Sequence, residues 1–324
     1  MIDAAGVQIR AAVEGEGPLV LMVHGFPESW YSWRHQIEPI AKAGFKACAI
    51  DVRGYGGSQK FDRVEDYAME RMIADIIGVG DALSPGEKFI LLGHDWGAPM
   101  VWQTALTRPD RIAAVGAMSV IHSGVPERSF DDVIRELFDD NNVFFYQSYF
   151  RPVGQAEAVF DANPRDFLRR FYYVGSGDID LTKLAGTPPK TSADNLLDGL
   201  PDPDPFPTWL SDQDLDYYVG EFERSGFFGP LSRYRNHTPD FHFLQPFKDR
   251  KVEQPAFFIA GDKDGAFTAF GMAADPLATL RANVPNLEEA HVLEGCGHWT
   301  QQERPDEVNA KLTPWLVSLK GRIV

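Results

Sequence analysis

The chain reads as an α/β protein with a mostly parallel, doubly wound sheet and a helical cap inserted between core strands. Three observations predict this class. Short, continuous apolar runs recur along the chain, as strands buried on both faces require. Helical segments separate them, the signature of parallel crossovers. Between about His122 and Leu244 the apolar runs stop, and aromatic, helical sequence takes over. The expected division is core 1–121, cap 122–244 and core 245–324.

Taken in order, "VQIRAAVEG" alternates as an exposed strand does, and the turn "GEGP" follows. "LVLMVHG" is a strand buried on both faces, and "FKACAIDVRG", "KFILLGHD" and "IAAVGAMSV" repeat its pattern. "VEDYAMERMIADIIGVGDAL" is a helical crossover, and "PAFFIAGDKD" and "EEAHVLEGCGH" complete the set of strands. Inside the cap, "SDQD" at Ser211–Asp214 is a capping box opening a helix. Leu215, Tyr218, Val219 and Phe222 form that helix's apolar stripe, Gly226 ends it, and Pro230 sits in the first turn of the next. A helical insertion of this kind covers the C-terminal edge of the sheet, where ligand sites of open α/β sheets form.

Composition narrows the function. The 324 residues are 44% hydrophobic and 24% charged, ordinary for a folded soluble chain. A formal net charge of −16 argues against nucleic acid or an anionic membrane as partner. Two cysteines, Cys48 and Cys296, offer no disulfide framework, so a reducing, cytoplasmic setting is expected and both thiols read as structural. "MIDAAGVQIR" lacks the apolar core of a signal peptide, and runs such as "PLVLMV" are too short to cross a bilayer.

The chemistry centres on Gly93-His94-Asp95-Trp96-Gly97. Small residues two before and two after the tip let a strand turn sharply into a helix and push one side chain outward. Turns of this shape usually carry serine; Asp95 here is either a carboxylate nucleophile or a plain helix N-cap. "MVHGFP" follows the strand Leu19–Val23, so the backbone N–H of Phe26 can join that of Trp96 as an oxyanion donor. The His24 side chain reads as a loop hydrogen-bonder. Of eight histidines, His298 alone combines a late loop after a strand with flanking glycines. Asp262 and Asp264 can both orient it; Asp264, three residues past Gly261, has the better spacing, and Asp262 suits a turn. Nucleophile, acid, histidine is the chain order of α/β-hydrolases.

The segments "HGFPESWYSWR", "DVRGYGGS", "GHDWGAPMVW", "YQSYFRPVGQAE", "SGFFGPLSRYRN" and "GCGHWTQQERPDEV" resemble the soluble epoxide hydrolases of the α/β-hydrolase superfamily across nearly the whole chain. The likeness is to a stand-alone hydrolase domain, without the N-terminal phosphatase-like domain of some animal relatives. It implies Asp95 as nucleophile, His298 as general base and Asp264 as its orienting acid. Two cap tyrosines would protonate the epoxide oxygen: Tyr146, in the stretch Tyr146-Gln147-Ser148-Tyr149-Phe150, and Tyr234, in Tyr234-Arg235-Asn236. Without the resemblance both read as cap packing. Trp30, Trp33, Trp96, Gln147 and the cap phenylalanines are expected around the substrate. The implied partners are a small apolar epoxide and water, with no metal or other cofactor, in a monomer or homodimer.

Two other readings remain open on the sequence. Haloalkane dehalogenases share the Asp nucleophile, and Trp96 matches their halide-binding position, but they carry Asn where this chain has Phe26 and lack the tyrosine pair. Fluoroacetate dehalogenases share "HGFP" but follow the nucleophile with Arg. A catalytically idle hydrolase-fold binding protein would have lost triad members, and a serine esterase would need serine at the tip.

Overall fold

A computed structural model describes residues 1–180, 182, 189–268 and 275–322. Its nine strands are β1 (Ile2–Ala4), β2 (Val7–Ile9), β3 (Ala11–Glu14), β4 (Leu19–Val23), β5 (Lys46–Ile50), β6 (Phe89–His94), β7 (Ile112–Met118), β8 (Ala256–Gly261) and β9 (Leu287–Leu293). β1 and β2 form a separate hairpin. The others make one sheet in the order β3-β5-β4-β6-β7-β8-β9, antiparallel at β3 and parallel throughout the rest.

The continuous apolar runs follow from burial on both faces. In β4, Leu19, Leu21 and Val23 belong to one core, while Val20 and Met22 belong to the other. β6 and β8 alternate in the same way. Each such side chain withdrawn from water contributes about 1.5–3 kcal/mol. The helices α1 (Arg34–Lys42), α2 (Met69–Leu83) and α3 (Gly97–Thr107) are the crossovers of the first half.

Two elements differ from the sequence reading. "VQIRAAVEG" is broken at Arg10 into β2 and β3. The Arg10 N–H donates to Ser58 Oγ (2.9 Å), and its Nε donates to the buried Asp51 (2.5 Å), so the side chain that should alternate outward turns in. Among the described residues β9 pairs only with β8, at the sheet edge, and of its seven residues only Leu293 is buried. Its glutamates and His291 suit an edge better than a buried core strand.

Between β7 and β8 the described segments contain helices and no strand. They are α4 (Phe130–Leu137), α5 (Tyr146–Phe150), α6 (Gln155–Phe160), α7 (Pro164–Gly175), α8 (Asp212–Ser225), α9 (Phe228–Ser232) and α10 (His237–Leu244). α8 begins with Ser211 accepting from the Asp214 N–H and Asp214 accepting from the Ser211 N–H, and it ends at Gly226 with φ 65°. α5 to α10 share one apolar core with one face of the sheet. Polar clamps add register: Arg10 pairs with Glu221 of α8, the Tyr172 hydroxyl donates to the Pro27 carbonyl (2.9 Å), and the Tyr218 hydroxyl donates to Gln302 Oε1 (2.9 Å).

The C-terminal core adds α11 (Gly265–Thr268), α12 (Pro276–Asn283), α13 (Thr300–Glu303) and α14 (Pro305–Leu319). Cys48 and Cys296 are both buried and unpaired, and burial pushes the Cys48 thiol up to about 12. Among the described residues no helix is long and apolar enough to cross a membrane.

Candidate active site

The strand order reverses between β4 and β6, and Val23 pairs with Gly93 at their C-terminal ends. That register brings the loop after β4 against the turn after β6, in the crevice where open α/β sheets hold ligands. Asp95 sits at the tip of this turn with φ 48°, a left-handed conformation that costs a non-glycine residue about 1–3 kcal/mol. The flanking glycines are steric necessities: a Cβ on Gly93 would lie 2.3 Å from the Gly97 carbonyl oxygen, and one on Gly97 would lie 2.0 Å from that of Val23. Gly25 presses against the same turn, where a Cβ would meet Asp95 Oδ1 at 2.3 Å and the Trp96 nitrogen at 2.6 Å. The close approach lets the Phe26 N–H donate to Asp95 Oδ1 (2.7 Å), with the Trp96 N–H beside it at the start of α3.

On the other side, Gly261 of β8 pairs with Leu293 of β9, so the loops after both strands also meet. His298 Nδ1 donates to Asp264 Oδ1 (2.9 Å), and its Nε2 lies 3.4 Å from Asp95 Oδ2. Asp264 is fully buried and also accepts the Ala266 N–H (2.8 Å). Asp262 instead accepts the Gly295 N–H (2.7 Å) and ties the turn. Burial disfavours a charged His298, but the Asp264 carboxylate and then Asp95 outweigh it and hold the ring well above its usual value. Burial likewise opposes the Asp264 charge, yet the contact with His298 keeps that carboxyl below its usual range.

Of the glycines beside His298, Gly297 serves close packing, while Gly295 supplies a left-handed turn with φ 68°. A Cβ on Gly297 would lie 2.2 Å from the Gly177 nitrogen, so the cap segment after α7 presses directly on this loop. The Gly175 carbonyl accepts the His298 N–H (2.7 Å). Buried Glu303 accepts from the N–H groups of Gly177, Gly297 and Trp299 at 2.8–3.0 Å.

The sequence reading missed a second buried pair. Both ring nitrogens of His94 face acceptors, the Glu28 carboxylate (2.8 Å) and the His298 carbonyl (2.7 Å). Glu28 also accepts from the Gly25 N–H (2.9 Å) and from the Gln301 and Gln302 amides (3.2 and 3.1 Å). This pair joins the loop before Asp95 to the loop of His298. His24 lies apart: its Nδ1 donates to its own loop at Gly25 O (2.8 Å), and its Nε2 accepts the Val52 N–H (3.0 Å).

Tyr146 of α5 and Tyr234, just after α9, come from different parts of the cap, yet their ring centroids lie 6.0 Å apart. Tyr234 packs edge-on to Trp96 (5.2 Å) and Phe26 (5.4 Å). Burial raises both phenol pKa values, and the Asp95 charge adds to the shift in each. Gln147 Nε2 donates to the Tyr146 oxygen (2.8 Å), and Gln147 Oε1 accepts from His237 Nε2 (2.7 Å). His237, also missed in the sequence, leans on the Trp96 ring, with centroids 5.8 Å apart. A cavity of about 370 Å³ opens here, bounded by Asp95, Trp96, Tyr146, Gln147 and the rings of Phe130 and Phe241.

Trp30 and Trp33 do not line it, which corrects the sequence expectation. Trp33 is wholly buried in the core on the other face of the sheet, with Trp315 and Leu312. Trp30 packs edge-on to Tyr31 and Tyr217, beside the β3 edge. The short helical turn that carries them points both rings away from the crevice.

The chain is similar to known proteins over nearly its whole length. Residues 18–158 match the family model for the alpha/beta hydrolase fold. Epoxide hydrolase A of Mycobacterium tuberculosis is 37% identical over 330 residues, covering 99% of this chain and 98% of the relative. The chain belongs to the epoxide hydrolase family. Two solved structures carry the likeness of this epoxide hydrolase into three dimensions. An epoxide hydrolase from an endophytic Streptomyces has a TM-score of 0.90 at 44% identity, covering 96% of this chain and 92% of that one. Epoxide hydrolase A from Mycobacterium thermoresistibile has a TM-score of 0.88 at 37% identity, with 96% and 95% covered.

Proposed function

We propose that this epoxide hydrolase works through a covalent ester on Asp95, which His298 then helps water to cleave. The observation that carries the reading is the line Asp264–His298–Asp95, with contacts of 2.9 and 3.4 Å, facing an oxyanion donor from Phe26.

The two oxygens of Asp95 have separate tasks. Oδ1 is held by the Phe26 N–H, while Oδ2 faces His298. Oδ2 attacks an epoxide carbon, the carbon–oxygen bond of the ring breaks, and the released oxygen takes a proton from Tyr146 or Tyr234. A tyrosine keeps its proton at neutral pH, and the Asp95 charge raises that proton affinity further. Ester formation removes the charge, so the hydroxyls become better acids as the proton is needed. Gln147, itself held by His237, supports this step: its N–H occupies one lone pair of the Tyr146 oxygen and steadies the phenolate that forms.

With the Asp95 charge gone, His298 gives up the proton it held at rest, which restores the tyrosine; oriented by Asp264, it then takes a proton from water, which attacks the ester carbonyl carbon. The oxyanion forms on Oδ1, opposite the N–H groups of Phe26 and Trp96. Collapse breaks the bond from Cγ to Oδ2, so the diol leaves with an oxygen that began on Asp95. Of the two water protons, one ends on the departing diol and the other restores the His298 imidazolium.

Single turnover in oxygen-18 water tests the scheme. The first diol released should carry no label, with the label found on Asp95; labelled diol in the first turnover would refute it.

A further inference from the structure

The cavity in front of Asp95 is not apolar throughout. Trp96, Pro99 and Gln103 border it in succession, so Gln103 stands two turns along α3 from the nucleophile, roughly 10 Å of helical rise. His122, from the loop after β7, borders the same cavity and lies over Trp102, with ring centroids 6.0 Å apart and planes 31° apart. His122 is 6% exposed. Its Nε2 and the Oε1 of Gln103 are both buried without a hydrogen-bond partner.

An unmade hydrogen bond at a buried polar atom is costly, and two in one cavity call for a cause. Both residues border the cavity, and a small rotation of each side chain would bring these atoms to a ligand group held there. Burial alone draws His122 down to about 4, so at neutral pH the ring is uncharged. Among the described residues that line the cavity, the one carboxylate besides Asp95 is Asp240, already engaged by Arg233 and the Met69 N–H. An anionic group gains no cation here, whereas a hydroxyl or primary amide both donates and accepts. The rest of the cavity wall includes Trp102, Phe130, Phe241 and Leu244, which suit an aryl or alkyl spacer.

We propose that His122 and Gln103 form a polar subsite of the epoxide cavity. It takes substrates in which an apolar spacer separates the epoxide from a neutral hydroxyl or amide. This rests on the epoxide-opening reading and replaces the wholly apolar substrate expected from the sequence.

The test compares two probes of matched shape, 4-(hydroxymethyl)phenyl glycidyl ether and 4-ethylphenyl glycidyl ether. The wild-type kcat/KM should favour the hydroxymethyl probe by about tenfold, the scale of one well-formed buried hydrogen bond. His122→Phe and Gln103→Leu should each bring that ratio close to one. Because the ratio is internal to each protein, a partly destabilised variant still reports. A wild-type ratio at or below one, or a ratio that survives both substitutions, overturns the subsite while leaving epoxide opening intact. Turnover of neither probe would count against the epoxide reading instead. Calorimetry with the two corresponding diols then decides the subsite: about tenfold tighter binding of the hydroxymethyl diol supports it, and equal affinity overturns it.

Discussion

Nε2 of His298 stands 3.4 Å from Oδ2 of Asp95. In the proposed cycle, His298 therefore begins in ionic contact with the carboxylate it later helps to free. Esterification removes the Asp95 charge, and with it one of the forces that hold a proton on the ring against the cost of burial. The imidazole thus becomes easier to deprotonate at the stage that needs a base.

Asp95→Asn reproduces that loss of charge. NMR titration of the His298 ring should give a lower pKa in the variant than in the wild type; an unchanged value would remove the coupling. Stability follows the same sign. The folded pKa of His298 is raised, so its contribution is complete below the unfolded value of about 6.5 and is lost as pH rises through the folded value. The Tm gap between wild type and variant should therefore be widest at mildly acidic pH and narrow as pH climbs.

The two acidic candidates after β8 should separate cleanly. Once Asp95 is esterified, Asp264→Asn leaves His298 without a charged partner, and ester hydrolysis should slow by roughly 10³-fold or more, with the alkylated protein visible by mass spectrometry. Asp262→Asn keeps an oxygen for the Gly295 N–H and should stay within about twofold of wild type. The reverse pattern would reassign the orienting acid.

Gln147→Leu removes the N–H that steadies the Tyr146 oxygen, and His237→Phe frees Gln147 to turn away. Each should slow ester formation by about tenfold in stopped-flow measurements while changing ester hydrolysis much less. In a Tyr146→Phe background the Gln147 substitution should have little further effect. Equal losses in both steps would mean that the residues only hold the cap together.

Gly25→Ala places a methyl group within 2.3 Å of Asp95 Oδ1 and 2.6 Å of the Trp96 nitrogen. Overpacking of this kind costs about 1–3 kcal/mol. The variant should melt several degrees lower by calorimetry and lose most of its turnover, because the loop that carries the Phe26 donor must back away.

The main sheet strands were legible because burial on both faces leaves a continuous apolar run, and β4, β6 and β8 have that form. The turn at Asp95 was legible from local sterics, since small residues at 93 and 97 are what so tight a turn requires. The capping box of α8 is likewise a property of neighbours in sequence. Arg10 and β9 misled, because an inward-turned charged side chain and an edge position change which faces are wet.

What the sequence by itself determined was every feature set by contacts within a few residues: the strand and helix pattern, the strained turn and the motifs that mark the family. What only the tertiary structure decided was which distant side chains meet. Glu28 and His94 lie 66 positions apart, and Gln147 and His237 lie 90 apart. Trp30 and Trp33 stand close to the Phe26 loop in sequence, yet they turn away from the crevice it forms. The direction a side chain takes across a sheet depends on strand register and on the layer packed against it, and neither is written in its immediate neighbours.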